Sequence, residues 1–424
     1  MGSEVLVNQS ASEGTFGTVG RRKVLKAATA VTAGAAAAVP FGAAEASEVP
    51  PEVREGIPRG RRYRLRELGI VLGELPPGRH NAITDVPGVK VGYQTLIFDR
   101  PGPPPNMART GVTIIVPRDE PLWRNYCYAG VHSHNGNGEL TGAHWITESG
   151  WLTSNIGITN THQVGIVRDT LVKLEAEQNE DLLWRLPVVA ETWDGPLNQL
   201  NGFWITEEHV RRAVADAKGG LPAEGNVGGG TGMSFFGYKG GSGTSSRVVP
   251  YRGTGYTVGV FVQSNFGRPR DLRVNGAPVG AELPPPPPLG PGADKSQGSC
   301  IIIVATDAPM LPGQCRRLAE RAGIGLGLVG GVASNGDGDI YLAFSTGNDV
   351  RAGETAPLRD AKAVDNDEID PFFHAVVEAT QEALLNSATK AERMTGNWGT
   401  REALPLDKLV EILKWHRLYP NGRE

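Results

Sequence analysis

Gly298-Ser299-Cys300 is the point in this chain where residue type and position together suggest covalent chemistry. Five consecutive prolines at 284–288 lead into 290–297, which reads as a mobile loop. Beyond it, Ser299-Cys300-Ile301-Ile302-Ile303-Val304-Ala305-Thr306-Asp307 reads as a buried strand. A serine that opens a core strand behind a glycine on an exposed loop is where a chain can cut itself. The cut frees the Ser299 amino group beside its own hydroxyl. With an ordinary pKa of about 7.7–8, that amine can serve as the hydroxyl's general base. Taken alone, the same Gly-Ser step is simply a turn before a strand.

Three other clusters carry usable groups. In Glu224-Gly225-Asn226-Val227-Gly228-Gly229-Gly230-Thr231-Gly232-Met233, glycines let the backbone approach something closely. No Lys-Ser/Thr follows as in a P-loop, and the spacing is not that of a dinucleotide fingerprint. The remaining readings are a structural turn, or an Asn226 amide donating to a developing oxyanion. In His132-Ser133-His134-Asn135-Gly136-Asn137-Gly138-Glu139, the two histidines and Glu139 have too few companion ligands for a metal site, and no metal is expected. Glu139 is either a solvated loop carboxylate or a partner for a substrate ammonium. Asp337 and Asp339 point to one face if their segment is extended. They lack the loop length and terminal glutamate of an EF-hand. They are either a polar turn or a holder for a nearby cation such as the amine of a processed Ser299.

These groups need a scaffold, and the composition permits one. The net charge of −4, with 21% charged residues, shows no basic excess, so nucleic acid is not an expected partner. Three cysteines without a CxxC argue against a disulfide framework or structural zinc. Residues 1–46 read as a targeting segment. Arg21-Arg22-Lys23 precedes an alanine-rich apolar stretch, and Ala44-Glu45-Ala46 supplies small residues for cleavage before Ser47, a pattern similar to a Tat signal. The stretch is too short and alanine-rich for a lasting membrane span, so an exported, periplasmic or extracellular protein is expected. Pattern and propensity predict strands at 89–96, 112–116, 257–264, 299–307 and 338–346. They predict helices near 163–178, 207–217, 312–323, 370–386 and 406–418. The stretch 268–298 reads as a proline-rich, solvated linker loop. Strands flanked by helices imply stacked layers.

Several segments, in order, resemble the DmpA-type aminopeptidases, the group of L-aminopeptidase/D-Ala-esterase/amidases and β-peptidyl aminopeptidases. They are Leu75-Pro76-Pro77-Gly78 with Asn81-Ala82-Ile83-Thr84-Asp85-Val86-Pro87-Gly88-Val89, Asn135-Gly136-Asn137-Gly138-Glu139-Leu140-Thr141-Gly142, Val189-Ala190-Glu191-Thr192-Trp193-Asp194-Gly195, the Asn226 loop, Gly298-Ser299 with Ala305-Thr306-Asp307-Ala308-Pro309, and Gly338-Asp339-Ile340-Tyr341-Leu342-Ala343-Phe344-Ser345-Thr346. The resemblance implies an αββα sandwich of the DOM type, similar to N-terminal-nucleophile hydrolases. It also implies self-cleavage into an α subunit (47–298) and a β subunit (299–424) that stay together in a homo-oligomer, without a cofactor. Ser299 would be the nucleophile, Asn226 the oxyanion asparagine and Glu139 the holder of the substrate's amino group. Asp337 and Asp339 would support the nucleophile, although the family pattern has serine where Asp337 stands. Trp193 and Trp145 are candidate pocket walls. The expected substrates are peptides, aminoacyl amides or esters that lose their N-terminal residue through an acyl-enzyme. The alternatives are an amidase of ω-amino acid oligomers, similar to nylon-oligomer hydrolases, and an uncleaved relative that binds peptides or amino acids.

Overall fold

The computed structural model describes residues 49–50, 52–53, 57–58, 60–103, 106–181, 184–290, 298–353 and 358–419. The export segment expected over 1–46 and residues 291–297 of the expected mobile loop lie outside the described residues. Along the chain come β1 (Lys90–Asp99), β2 (Met107–Val116), β3 (Asn125–Ser133), α1 (Ala143–Ser149), β4 (Trp151–Leu152), β5 (Ile156–Asn160), α2 (Val164–Gln178), β6 (Val188–Thr192), α3 (Glu207–Ala215), β7 (Ser234–Phe235), β8 (Tyr238–Lys239), β9 (Gly241–Tyr251), β10 (Thr254–Asn265), α4 (Val279–Glu282), β11 (Ser299–Thr306), α5 (Pro312–Leu328), β12 (Gly338–Arg351), α6 (Asp370–Thr389), β13 (Met394–Gly396), β14 (Gly399–Arg401) and α7 (Leu406–Trp415).

Two sheets stack face to face. One has the order β1-β2-β5-β6, the other β4-β3-β12-β11-β10-β9. Strand alternation assigns the faces. Ile301, Ile303 and Ala305 of β11, with Ile340 and Leu342 of β12, meet Ile115, Ile158 and Val188 of the other sheet. The intervening Cys300, Ile302 and Val304 face the opposite way, against Leu318 and Ala322 of α5 and Val376 of α6. On the far side of the smaller sheet, Val112, Ile114 and Val189 pack on Val167 and Leu171 of α2 and Val210 of α3. The result is the expected αββα sandwich. Helices α5 and α6 each begin with a proline in the first turn, where its missing N–H costs nothing.

Several elements differ from the sequence reading. The helix expected at 312–323 continues to Leu328, and the strands expected at 112–116 and 338–346 start or end well outside those limits. Strand β9 has no apolar alternation at its glycine- and serine-rich start, yet Ser242, Thr244, Ser245 and Ser246 are all fully buried. Their hydroxyls are used: Thr244 Oγ1 donates to Val260 O at 2.7 Å and Ser246 Oγ to Asp85 Oδ2 at 2.7 Å. Gly243 lets α6 lie directly on the strand, since a Cβ there would stand 2.1 Å from Ala383 O.

The described part of 268–298 is not a solvated linker. Leu272, Val274, Val279 and Leu283 are buried in the helix-side core. Tyr238 Oη donates to Pro284 O at 2.8 Å, and Gly290 N–H to Trp398 O at 3.0 Å. The apolar residues between the prolines outweigh the proline run's preference for solvated, extended backbone.

A buried ion network joins the segment before β1 to β9 and α6. Glu382 accepts from Arg247 Nη2 at 2.8 Å, Arg66 Nε at 3.0 Å and Asn81 Nδ2 at 2.5 Å. Burial alone would raise the Glu382 pKa, but Arg247, Arg66 and Arg64 outweigh it and hold the carboxyl below its ordinary value. Removing one member strands the other charges out of water. Glu382→Ala is therefore expected to lower stability by about 3–5 kcal/mol in urea unfolding. A loss below about 1 kcal/mol would mean that the arginines find other partners.

Candidate active site

Ser299 opens β11, and β11 is paired on both sides. Across the antiparallel ladder it faces Asn265, the last residue of β10, and across the parallel ladder it faces Gly338, the first residue of β12. Side-chain alternation along β11 puts Ser299 on the same face as Ile301, between the sheets, where it is 2% exposed. Its Oγ accepts the Trp193 backbone N–H at 3.1 Å and lies 3.5 Å from Asn265 Nδ2. The Asn265 amide is oriented at both ends: Nδ2 donates to Trp193 O at 2.8 Å, and Oδ1 accepts Ser234 N–H at 2.9 Å. Lys239 is buried nearby, and its Nζ donates to the carbonyls of Met233 and Gly240 at 2.9 and 2.6 Å. Desolvation pulls its pKa well below the ordinary lysine value, and its two hydrogen bonds fasten the turn that carries Ser234.

The Gly298–Ser299 peptide is also held. Gly298 N–H donates to Asp337 Oδ1 at 2.8 Å, and Gly298 O accepts Gly338 N–H at 3.0 Å. The second Asp337 oxygen accepts Ser334 N–H at 2.8 Å. No side chain fits at 298, where a Cβ would stand 2.6 Å from Asp337 Oδ1. Asp339 accepts from Asn135 Nδ2 at 2.9 Å through one oxygen, while its buried Oδ1 has no partner among the described residues. Burial, then the neighbouring Asp337 charge, pushes the Asp339 carboxyl up to about 7; burial also raises Asp337. Two desolvated carboxyls beside a peptide nitrogen make a place for a positive charge.

The 135–139 loop lies over this end of the strands. A methyl at Gly138 would meet the Gly338 Cα at 3.0 Å and Glu191 Oε1 at 3.1 Å. Glu191 is buried in β6 and anchors the loop, accepting Glu139 N–H at 3.2 Å and the Thr161 hydroxyl. Burial raises its pKa. Glu139 itself is exposed.

Ser299, Gly298, Asp337 and Asp339 thus come together as expected, with the Glu139 loop above them. Two expected residues go elsewhere. Asn226 does not meet Ser299: its amide donates to Glu392 O at 2.9 Å and accepts Glu392 N–H at 3.2 Å. The glycines around it form a wedge between sheets, where a Cβ at Gly230 would stand 2.3 Å from Ser242 N and one at Gly232 2.2 Å from Arg109 O. Trp145 packs edge-on against Trp184 and near Trp151, in a cluster apart from Ser299. Trp193 does line a cavity of about 620 Å³, with Asn265, Gly298, Trp398, Arg401 and Pro286–Pro288. Asn265 and the Trp193 N–H were missed by sequence reading. The available signal was topological: a strand ending in Val262-Gln263-Ser264-Asn265 and pairing antiparallel with β11 must bring its last residue to the first residue of β11.

The model of peptidase family S58 matches residues 81–402. The chain belongs to peptidase family S58. Among its relatives, the β-peptidyl aminopeptidase BapA of Sphingosinicella microcystinivorans is 46% identical over 371 residues, covering 84% of this chain and 92% of that protein. A solved β-aminopeptidase of Burkholderia sp. superposes with a TM-score of 0.77 at 45% identity, covering 83% of this chain and 99% of that one. The L-aminopeptidase D-Ala-esterase/amidase of Ochrobactrum anthropi, described as a variant of the Ntn hydrolase fold, gives 0.79 at 41%, with 84% and 99% covered. S58 membership makes this chain a hydrolase of the aminopeptidase kind, in agreement with the resemblance drawn from its sequence.

The raised Asp339 pKa couples the folding of the intact chain to pH. A carboxyl that titrates higher folded than unfolded favours the folded state below its unfolded pKa of about 3.9. That contribution is lost as pH rises through about 7. In an intact chain, stability is therefore expected to fall from pH 4 to 7. Adding Asp339→Asn should make that slope shallower in thermal unfolding across pH; an unchanged slope would exclude Asp339 as its source.

Proposed function

We propose that this chain cuts itself between Gly298 and Ser299 and then acts as a serine aminopeptidase whose nucleophile is Ser299. The observation that carries this reading is the convergence of the Trp193 N–H and Asn265 Nδ2 on Ser299 Oγ, next to Gly298, whose own N–H is held by Asp337 and whose carbonyl is held by Gly338. In self-cleavage, Oγ attacks the Gly298 carbonyl carbon, whose oxygen is already polarised by Gly338 N–H. The C–N bond breaks, the nitrogen takes up the hydroxyl proton, and water hydrolyses the resulting ester to a Gly298 carboxylate and a Ser299 amine. Asp337 and Asp339 hold the new ammonium.

In turnover, the Ser299 amine takes the proton from Oγ as Oγ attacks the carbonyl of the substrate's first residue, and later passes it to the leaving amine. Asn265 and the Trp193 N–H donate to the oxyanion. Glu139 pairs with the substrate's free ammonium and confines the enzyme to N-terminal residues. Water then releases the acyl group. The relatives' names support both β-aminoacyl and L-α-aminoacyl substrates, so amides of both kinds belong in the assay.

Ser299→Ala should remain a single chain by intact mass and show no hydrolysis; a cut, active variant would end this reading. Asn265→Ala should lower kcat by about 10²–10³, the cost of one oxyanion donor, whereas Asn226→Ala leaves kcat in the wild-type range. The opposite pattern would return the role to Asn226. Glu139→Gln should raise KM for free-amine substrates more than for N-acylated ones; equal effects would remove Glu139 from its role.

We also infer export, supported by Arg21-Arg22 and the Ala44-Glu45-Ala46 end of the leading segment. Among the described residues, no helix is long and apolar enough to cross a membrane. Assembly into a homo-oligomer is consistent with exposed Ile324, Leu328 and Val332, four residues apart along and just beyond α5. Light scattering of the cut protein tests it.

A further inference from the structure

The two sides of Ser299 carry opposite charge. On one side stand the carboxyls of Asp337, Asp339 and Glu191, with Glu139 on the loop above. On the other is the 620 Å³ cavity, whose lining includes Arg268, Arg270 and Arg401 and, among the described residues, no aspartate or glutamate. Two of these arginines share one carboxylate: Arg268 and Arg270 both pair with Asp271, at 2.8 and 3.7 Å. Arg401 is different. Among the described residues no carboxylate lies within ion-pair distance of it.

Arg401 is nonetheless held in place. It lies on the short strand β14, and its Nε donates to Ser234 Oγ at 3.1 Å and Nη1 to Gly237 O at 3.2 Å. Its Nη2 has no hydrogen-bond partner among the described residues, and the residue lines the cavity. Burial lowers its pKa only to about 10, so it is charged at neutral pH. Its anchor, Ser234, is the residue whose N–H orients the Asn265 amide. Thus one residue separates the guanidinium from the asparagine at Ser299. Around it, the wall is built of tryptophan and proline: Trp398 meets Trp193 edge-on at 5.6 Å, and Pro286 closes over Gly237, where a Cβ would stand 2.8 Å from the Pro286 Cγ.

We propose that Arg401 binds the α-carboxylate of the residue released by the cut, so that free dipeptides are preferred over their C-terminal amides. The proposal rests on the aminopeptidase reading of Ser299 and deepens it. A partly desolvated guanidinium with free N–H groups suits a planar carboxylate. The acidic side of the site takes the ammonium end of the same molecule. A dipeptide places these opposite charges on either side of its single peptide bond.

The test compares one dipeptide with a free C-terminus, the same dipeptide as its C-terminal amide, and a tripeptide extended from it, on the purified cut enzyme. In the wild type, kcat/KM is expected to be highest for the free dipeptide. In Arg401→Met, the ratio of free dipeptide to amide should fall ten- to a hundredfold, mainly through KM, as expected for losing a charge-assisted bond of about 1.5–3 kcal/mol. Arg401→Lys, which keeps the charge and loses the fork, should fall between. Because each variant is read as a ratio of two substrates, partial misfolding cancels. A ratio unchanged by Arg401→Met overturns the proposal while leaving the aminopeptidase reading intact. That would also be the result if the guanidinium held the chain's own Gly298 carboxylate after self-cleavage. A wild-type enzyme that cleaves none of the three overturns both.

Discussion

The double pairing of β11 is the constraint on which the site depends. Ser299 is the first residue of a strand with a neighbour on each side, so its backbone cannot drift without breaking ladders to both β10 and β12. The register then decides its company. Asn265 is opposite in the antiparallel direction, and Gly338 is opposite in the parallel one, with Asp337 and Asp339 on either side of it. A slip of one residue would turn the Ser299 side chain from the space between the sheets towards α5 and α6. The alternation of Ile301, Ile303 and Ala305 with Cys300, Ile302 and Val304 guards against that slip, because both faces of β11 are filled by core contacts.

Around that fixed point, the site is built by anchoring backbone rather than by packing reactive side chains together. Trp193 contributes an N–H, Gly338 an N–H and Ser234 an N–H, each from the end of a strand. Donors of this kind need no reorganisation when charge develops. The buried carboxyls of Asp337, Asp339 and Glu191 are costly in an intact chain, since burial raises all three pKa values. An ammonium created beside Asp337 would relieve part of that cost. In this view, placing an aspartate at 337 stores electrostatic strain that the proposed cut would release.

Much of this was legible in the sequence because it is local. Gly298-Ser299 before a β-branched run marks a strand opening, and Asp337-Gly338-Asp339 marks another. Adjacent strand starts can bring such groups together with no help from distant segments. The Asn226 loop misled for a physical reason. Glycines allow close approach of backbone to a ligand or to other backbone, and here they wedge against β2 and β9. Composition cannot distinguish the two uses. Strand β9 was hidden because its burial is made possible by hydroxyl bonds and not by apolar side chains. The 268–290 segment was misjudged because a run of prolines outweighed four isolated apolar residues, each of which turned out to have a place in the core.

The sequence by itself determined the nucleophile candidate, the acid pair, the layered α/β class and the family resemblance, since each depends on residue type within a short stretch. Only the tertiary structure decided which asparagine stands at Ser299, that Trp145 lies in another cluster, and that Arg401 faces the cavity without a carboxylate partner among the described residues. Asn265 and Trp193, which meet at Ser299, lie 34 and 106 positions away from it; for Arg401 the link runs through Ser234, 167 positions away from it. Such pairs meet through strand order and register, which follow from how the whole chain buries its apolar faces and not from the identity of either partner.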